Sequence, residues 1–403
     1  MANKKNFTYT LSVLFQFRIV ITVFGLFFIN ASQADPLKFN GFLTNTITQT
    51  NHSTPYIETK EYTDNVNYQS GTVLGVQMSK RLDPKVSFQA QFVARGAQPS
   101  DETPFSPSFD MLFIDYKLQP NLDIKAGKLI PNTYLISKHL EVGSSYLWAR
   151  PPVEVYETSY SLLTRVNGLE VLYQKNLGNF NLRVQPYVGR INETLTSRTT
   201  GTLATLNSDS LVGGGLNLEN NWLRLHSSMM LTDVTMTDGD GSLMVMHNVS
   251  LYSLGLQAEV NRWIVMTEAV SVSIGTANFD FSLSAQTQIS TLGQINIKIP
   301  DQTGYYTTLA YQFERFTPYI TVAATSSSYS QDQNPVVSAI INQFQQEQRS
   351  VSMGTRLDVT PSLALKVEYH QADPINETRG LFTQLPTNND DLELWTLAFN
   401  VQF

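Results

Sequence analysis

The sequence predicts an all-β fold, a transmembrane antiparallel β-barrel of sixteen strands, on three observations. Extended segments alternate apolar and polar side chains with period two, and their connections alternate between tight turns and long loops. Past Ile29, moreover, no stretch approaches the roughly 18 consecutive apolar residues of a helical span. A closed barrel is then the remaining structure that satisfies every backbone polar group in lipid. Bulk hydropathy would miss it, because such strands are apolar on one face only and 42% apolar residues would also suit a soluble protein.

Residues 1–34 read as a cleaved secretory signal. Lys4, Lys5 and Arg18 precede an apolar run from Ile19 to Ile29, and Ser32-Gln33-Ala34 supplies a small-residue cleavage pattern. That run is too short to anchor a helix in a bilayer. Cleavage would start the barrel domain, 35–403, at Asp35 and, by removing three cations, move the formal charge from −7 to −10. An acidic chain has no electrostatic basis for binding nucleic acid. With no cysteine, disulfides, thiol catalysis and cysteine-ligated zinc are excluded.

The expected strands are 37–48, 71–82, 85–96, 109–118, 121–130, 166–175, 179–190, 211–219, 222–232, 249–260, 262–272, 303–313, 315–325, 350–359, 362–371 and 392–403. The segment from Val86 shows the pattern: Val86, Phe88, Ala90, Phe92 and Ala94 share one face, Ser87, Gln89, Gln91 and Arg95 the other. Seven connections are tight, among them Asp83-Pro84, Gln119-Pro120, Asn220-Asn221 and Thr360-Pro361, and eight are long. An even strand number with short periplasmic turns and long extracellular loops is the pattern of the cell outer membrane. Eighteen strands are the alternative if the connections 131–165 or 273–303 hide a hairpin. Thr194–Ser210 and Ser326–Gln348, rich in Ser, Thr, Asn and Gln, read as solvent-facing loops.

Charges in mid-strand decide which face is wet. Lys125, Arg183, Arg224, Glu268, Arg356, Lys366 and Glu368 face either lipid or lumen, and a lipid-facing Arg or Lys costs roughly 2–4 kcal/mol at the midplane. The polar face therefore lines a lumen, which sixteen strands leave open. Tyr116, Phe180, Trp263, Phe313, Phe316 and Phe403 cluster beside the short turns, as an interfacial girdle would. In the last strand Trp395, Leu397, Phe399, Val401 and Phe403 share one face.

An alternating strand closed by Phe403 resembles the assembly signal of the Gram-negative outer-membrane porin superfamily, which implies outer-membrane lipid and the barrel-assembly machinery as partners. The whole barrel likewise resembles the sixteen-stranded trimeric porins, whose third long loop folds back into the lumen. The acidic loop tip of the classical enterobacterial porins, with its Pro-Glu-Phe-Gly core, is missing, so the similarity to that subgroup is distant. The resemblance implies a homotrimer forming a water-filled channel for passive diffusion of small hydrophilic solutes and ions. It also makes 131–165 the pore-constricting loop, with Glu141, Arg150 and Glu154 on the loop side and Arg81, Arg95, Lys117, Lys125 and Arg183 on the wall. Opposed charged rims of this kind screen solutes by charge. The wall is mostly basic, but Asp115, Asp123, Glu170 and Glu268 leave the sign of selectivity open, and a substrate-specific channel stays the alternative.

No catalytic residue, metal site or cofactor is expected. Thr237-Asp238-Gly239-Asp240-Gly241 lacks the twelfth-position acid of a calcium loop, and the five histidines show no zinc-ligand spacing. Without a Gly-x-Ser-x-Gly elbow, a lipase-like outer-membrane enzyme is the weaker reading. A surface adhesin or plugged barrel is weaker too, since no plug or passenger domain flanks the strands.

Overall fold

A computed structural model describes residues 35–58, 60–96, 105, 107–157, 165–196, 203–237, 243–280, 293–328, 334–386 and 391–403. The expected signal segment, 1–34, and the Asp238-Gly239-Asp240-Gly241 run lie outside these residues. The strands are β1 (Lys38–Thr50), β2 (Val73–Arg81), β3 (Val86–Arg95), β4 (Pro107–Gln119), β5 (Leu122–Leu129), β6 (Val166–Leu177), β7 (Phe180–Thr196), β8 (Leu203–Glu219) and β9 (Leu223–Thr237). They continue with β10 (Leu243–Val260), β11 (Trp263–Ser273), β12 (Thr276–Asp280), β13 (Gln294–Ile297), β14 (Gln302–Tyr311), β15 (Phe316–Ser327), β16 (Gln348–Thr360), β17 (Leu363–Pro374) and β18 (Leu392–Gln402).

Antiparallel neighbours run from β1 to β11, pass directly to β14 and continue to β18, which pairs back onto β1. The ring therefore has sixteen strands, as expected. The hairpin considered for 273–303 exists as β12 and β13, but it pairs with the outer end of β10, at Leu243–His247, and adds nothing to the ring. At the seam the Gly41 and Phe403 main chains exchange two hydrogen bonds of 2.6 and 2.9 Å. Gly41 has a steric reason: a Cβ there would stand 2.2 Å from the Phe403 ring.

Alternation sets what each face carries. Leu112, Ile114, Leu169, Val188, Val212, Leu254, Ile320, Val322 and Val367 are exposed on the outside, and Trp222, Trp263, Phe313 and Phe316 mark the short-turn end. The seven mid-strand charges turn inward. Tight turns need left-handed residues, supplied by Gly178 (φ 62°) and Asn261 (φ 58°).

Two expectations are corrected. Much of the loops assigned around Thr194–Ser210 and 233–248 is strand: β7 to β10 continue beyond register shifts between Gly189 and Ile191, between Asn207 and Leu211, and between Met246 and Val249. Thr- and Asn-rich segments read as loop, yet bulges let them stay paired beyond the lipid belt. In Ser326–Gln348, Pro335–Phe344 forms a helix whose Val337 and Ile341 join the apolar cluster of Phe279 and Ile297.

The inner face is also less uniformly polar than expected. Met230, Leu251 and Val272 form one buried inward row across β9, β10 and β11. Period two places these residues on the inner face without saying what covers them, and the cover is the loop after β5.

Candidate pore constriction

From Pro131 the chain enters the barrel and is described as far as Glu157. Short turns, Ser137–His139 and Gly143–Ser145, are followed by a single helical turn, Val153–Tyr156, that starts where Pro151-Pro152 has already restricted φ. Its apolar side chains Tyr134, Leu135, Tyr146, Trp148, Val155 and Tyr156 are buried with the inward residues of β8 to β15. The Trp148 indole N–H donates to Thr308 and Thr321 at 2.9 and 3.1 Å, and its ring meets Tyr306 edge-on at 5.4 Å.

Polar anchors complete the attachment. Glu268 accepts from the Leu135 amide at 2.9 Å, from Ser253 at 2.8 Å and from the Tyr156 hydroxyl. The Thr133 carbonyl accepts from Ser228 at 2.6 Å. Arg356 donates to the carbonyls of Ser144 and Tyr146 at 2.7 and 2.9 Å. The loop thus lies against the wall from β9 around to β18. Lys138–Glu141 forms its free edge, where Lys138 and His139 are the most open and Glu141 is partly exposed.

Two charged clusters meet this edge. Arg95 lies 2.6 Å from Asp110 and 2.7 Å from Glu141, and Arg165 is 2.8 and 3.1 Å from the same carboxylates. Burial works against ionisation of Glu141, yet Arg95 and then Arg165 outweigh it and hold its carboxyl below the usual range. In the second cluster Glu170 is 3.1 Å from Lys125 and 3.9 Å from Lys138. Partial burial against the wall pushes the Lys138 ammonium down to about 8, with Glu170 opposing.

Of the expected residues, Glu141 and Arg95 are brought together across the edge, and Lys125 stands in the second cluster, paired with Glu170. Arg150 and Glu154 are turned the other way. Arg150 is buried and 3.5 Å from Glu368; Glu154 accepts from Gln348 at 2.7 Å and Ser350 at 2.6 Å. Burial pushes the Glu154 carboxyl up in spite of those bonds. Both side chains face the wall because the apolar loop residues around them already do. Arg183 is paired with Glu219 at 2.7 Å, closer to the short-turn end. Arg81, its side chain 66% exposed, lies at the barrel's rim 3.5 Å from Asp35, and Lys117 is exposed near the turn after β4.

The sequence reading missed Asp110, Lys138 and Arg165. Strict alternation from Phe113 and Asp115 puts Met111 inside and Asp110 outside, but an irregularity at Gln91/Phe92 shifts the register and turns Asp110 inward. The one available signal was the cost of a carboxylate against lipid. Arg165 falls one residue before the expected strand, and Lys138 is a loop residue without periodicity.

No family model matches the sequence, and no curated protein does. Solved structures match the fold over nearly the whole chain. The outer membrane channel DcaP of Acinetobacter baumannii has a TM-score of 0.55 at 12% identity, covering 93% of this chain and 99% of its own. An anion-selective porin from Comamonas acidovorans gives 0.53 at 10%, covering 91% and 99%. The trimer form of OmpT, an outer membrane protein of Vibrio cholerae, gives 0.51 at 9%, also covering 91% and 99%. At such identities the likeness is one of fold: the chain has the architecture of outer-membrane porins and channels.

Proposed function

We propose that the chain is an outer-membrane channel for passive diffusion of small hydrophilic solutes and ions, with the loop edge Lys138–Glu141 and the facing wall as its constriction. The observation that carries this reading is the pair of charged clusters spanning loop and wall inside a closed sixteen-strand ring. Such rims need no moving part: they act on solutes by size and by charge. Arg150 and Glu154 then serve the channel by holding the loop against the wall, while Glu141, Arg95, Lys125 and Lys138 meet the solute.

The homotrimer implied by the porin resemblance belongs to the same proposal, as does recognition of Phe403 by the barrel-assembly machinery. The Phe403 ring is exposed on the lipid side of the seam strand, where a partner can read it before closure. Planar-bilayer recording of purified protein tests the reading. Stepwise ohmic conductance is expected, and silence of folded, inserted protein would overturn it. Block by one solute at low concentration would favour the second reading, a substrate-specific channel.

A further inference from the structure

The wall residue Lys366 has surroundings unlike those of the other inward charges. It is 1% exposed, and its ammonium donates to three loop carbonyls, Gly143 at 2.5 Å, Trp148 at 2.7 Å and Tyr146 at 2.8 Å. Its remaining side lies over the Tyr146 ring, 4.4 Å from the centroid. Among the described residues no carboxylate stands within ion-pair distance of it: Glu368 is engaged with Arg150 and Tyr319, and Asp358 with Arg356. Three protons on three carbonyls use every donor that a lysine has. Carbonyl oxygens replacing water around a bare monovalent cation, with a ring face on the open side, form a cation cage.

The three carbonyls belong to Gly143–Trp148, the segment that directly follows the charged edge. Neighbouring Arg356 shares the Tyr146 carbonyl, so two cations from adjacent strands grip one turn. A neutral side chain there would leave the Gly143 and Trp148 carbonyls without this donor, which is unfavourable in a buried site.

We propose that Lys366 is the positioning residue of the constriction, a tethered monovalent cation around which the loop turn is built and which sets how far the edge stands from the opposite wall. The inference rests on the channel reading above. It also makes a chemical prediction that a general packing role does not: a free primary ammonium ion of matching length substitutes for the side chain.

The test is Lys366→Ala in full-length protein, checked for folding by heat-modifiable migration, with n-propylammonium or tetraethylammonium added. Two signals are read: single-channel conductance, and trypsin cleavage at Lys138. Losing even one charge-assisted hydrogen bond shifts a two-state equilibrium by about tenfold or more, so cleavage is expected to accelerate at least about tenfold. Conductance is expected to become larger and noisier. Propylammonium should reverse both changes, whereas tetraethylammonium, equally charged but without a donor, should not. Wild-type cleavage and conductance in the variant, or equal effects of the two ions, would overturn the proposal. If Lys366→Ala does not fold, Lys366→Met is read by the same cleavage assay against wild type, and unchanged protection there overturns it as well. Wild-type protein that is folded but never conducts would count against the channel reading, while the cleavage result still judges the loop.

Discussion

Replacing Glu141 by Gln removes one charge and almost no volume from the edge of the loop. Arg95 and Arg165 face Asp110 and Glu141, so the cluster is formally neutral, and the substitution leaves it at +1. The amide keeps an oxygen that can accept from Arg95, so the geometry has little reason to relax. A permeating ion about 4 Å from an uncompensated unit charge in water interacts with it by about 1 kcal/mol, equivalent to about a fivefold change in a Boltzmann factor. At 0.15 M salt the Debye length of about 8 Å leaves most of that interaction in place. The assay is the reversal potential across a planar bilayer under a salt gradient. The ratio of anion to cation permeability is expected to rise, by up to about 25-fold because the charge favours the anion and disfavours the cation about fivefold each, with less change at high salt. An unchanged ratio in a folded, conducting variant would show that permeating ions do not pass this cluster, and the constriction would have to lie elsewhere.

Other perturbations probe other parts of the argument. Trp148→Ala removes a buried ring and its two hydrogen bonds to threonines, at a cost of about 3–5 kcal/mol that falls on loop docking, and protease cleavage within 131–157 should accelerate while the barrel stays folded. Because the Lys138 ammonium loses its proton around pH 8, raising the pH from 7 to 9 should remove one positive charge from the edge and move selectivity toward cations; Lys138→Gln should abolish that pH dependence. Gly41→Leu places a side chain where the Phe403 ring lies, and slower barrel closure is expected in a refolding series followed by electrophoretic mobility. Deleting β12 and β13 should still leave a closed, heat-modifiable barrel, since neither strand belongs to the ring; failure to close would contradict the topology.

Legibility followed the range of the interactions involved. Period-two segments such as Val86–Arg95 and Trp395–Phe403 were readable because a strand's two faces meet different media, which writes the fold into neighbouring residues. Tight turns were readable for the same reason, since Gly178 and Asn261 answer a local backbone demand. The bulges that turn Asp110 inward and carry β7 to β10 beyond the lipid belt were not, because a one-residue slip is settled by the partner strand.

The sequence by itself determined a closed antiparallel barrel of sixteen or eighteen strands, the wet and oily faces of its strands, and the connection that carries Glu141. Each follows from local alternation and from the cost of charge in lipid. Only the tertiary structure decided that Arg150 and Glu154 face the wall, that Glu141 meets Arg95, Arg165 and Asp110, and that Lys366 sits among loop carbonyls. Those pairings join residues tens to hundreds of positions apart. What selects among them is the apolar face that the loop buries, a constraint of shape in three dimensions that has no period along the chain.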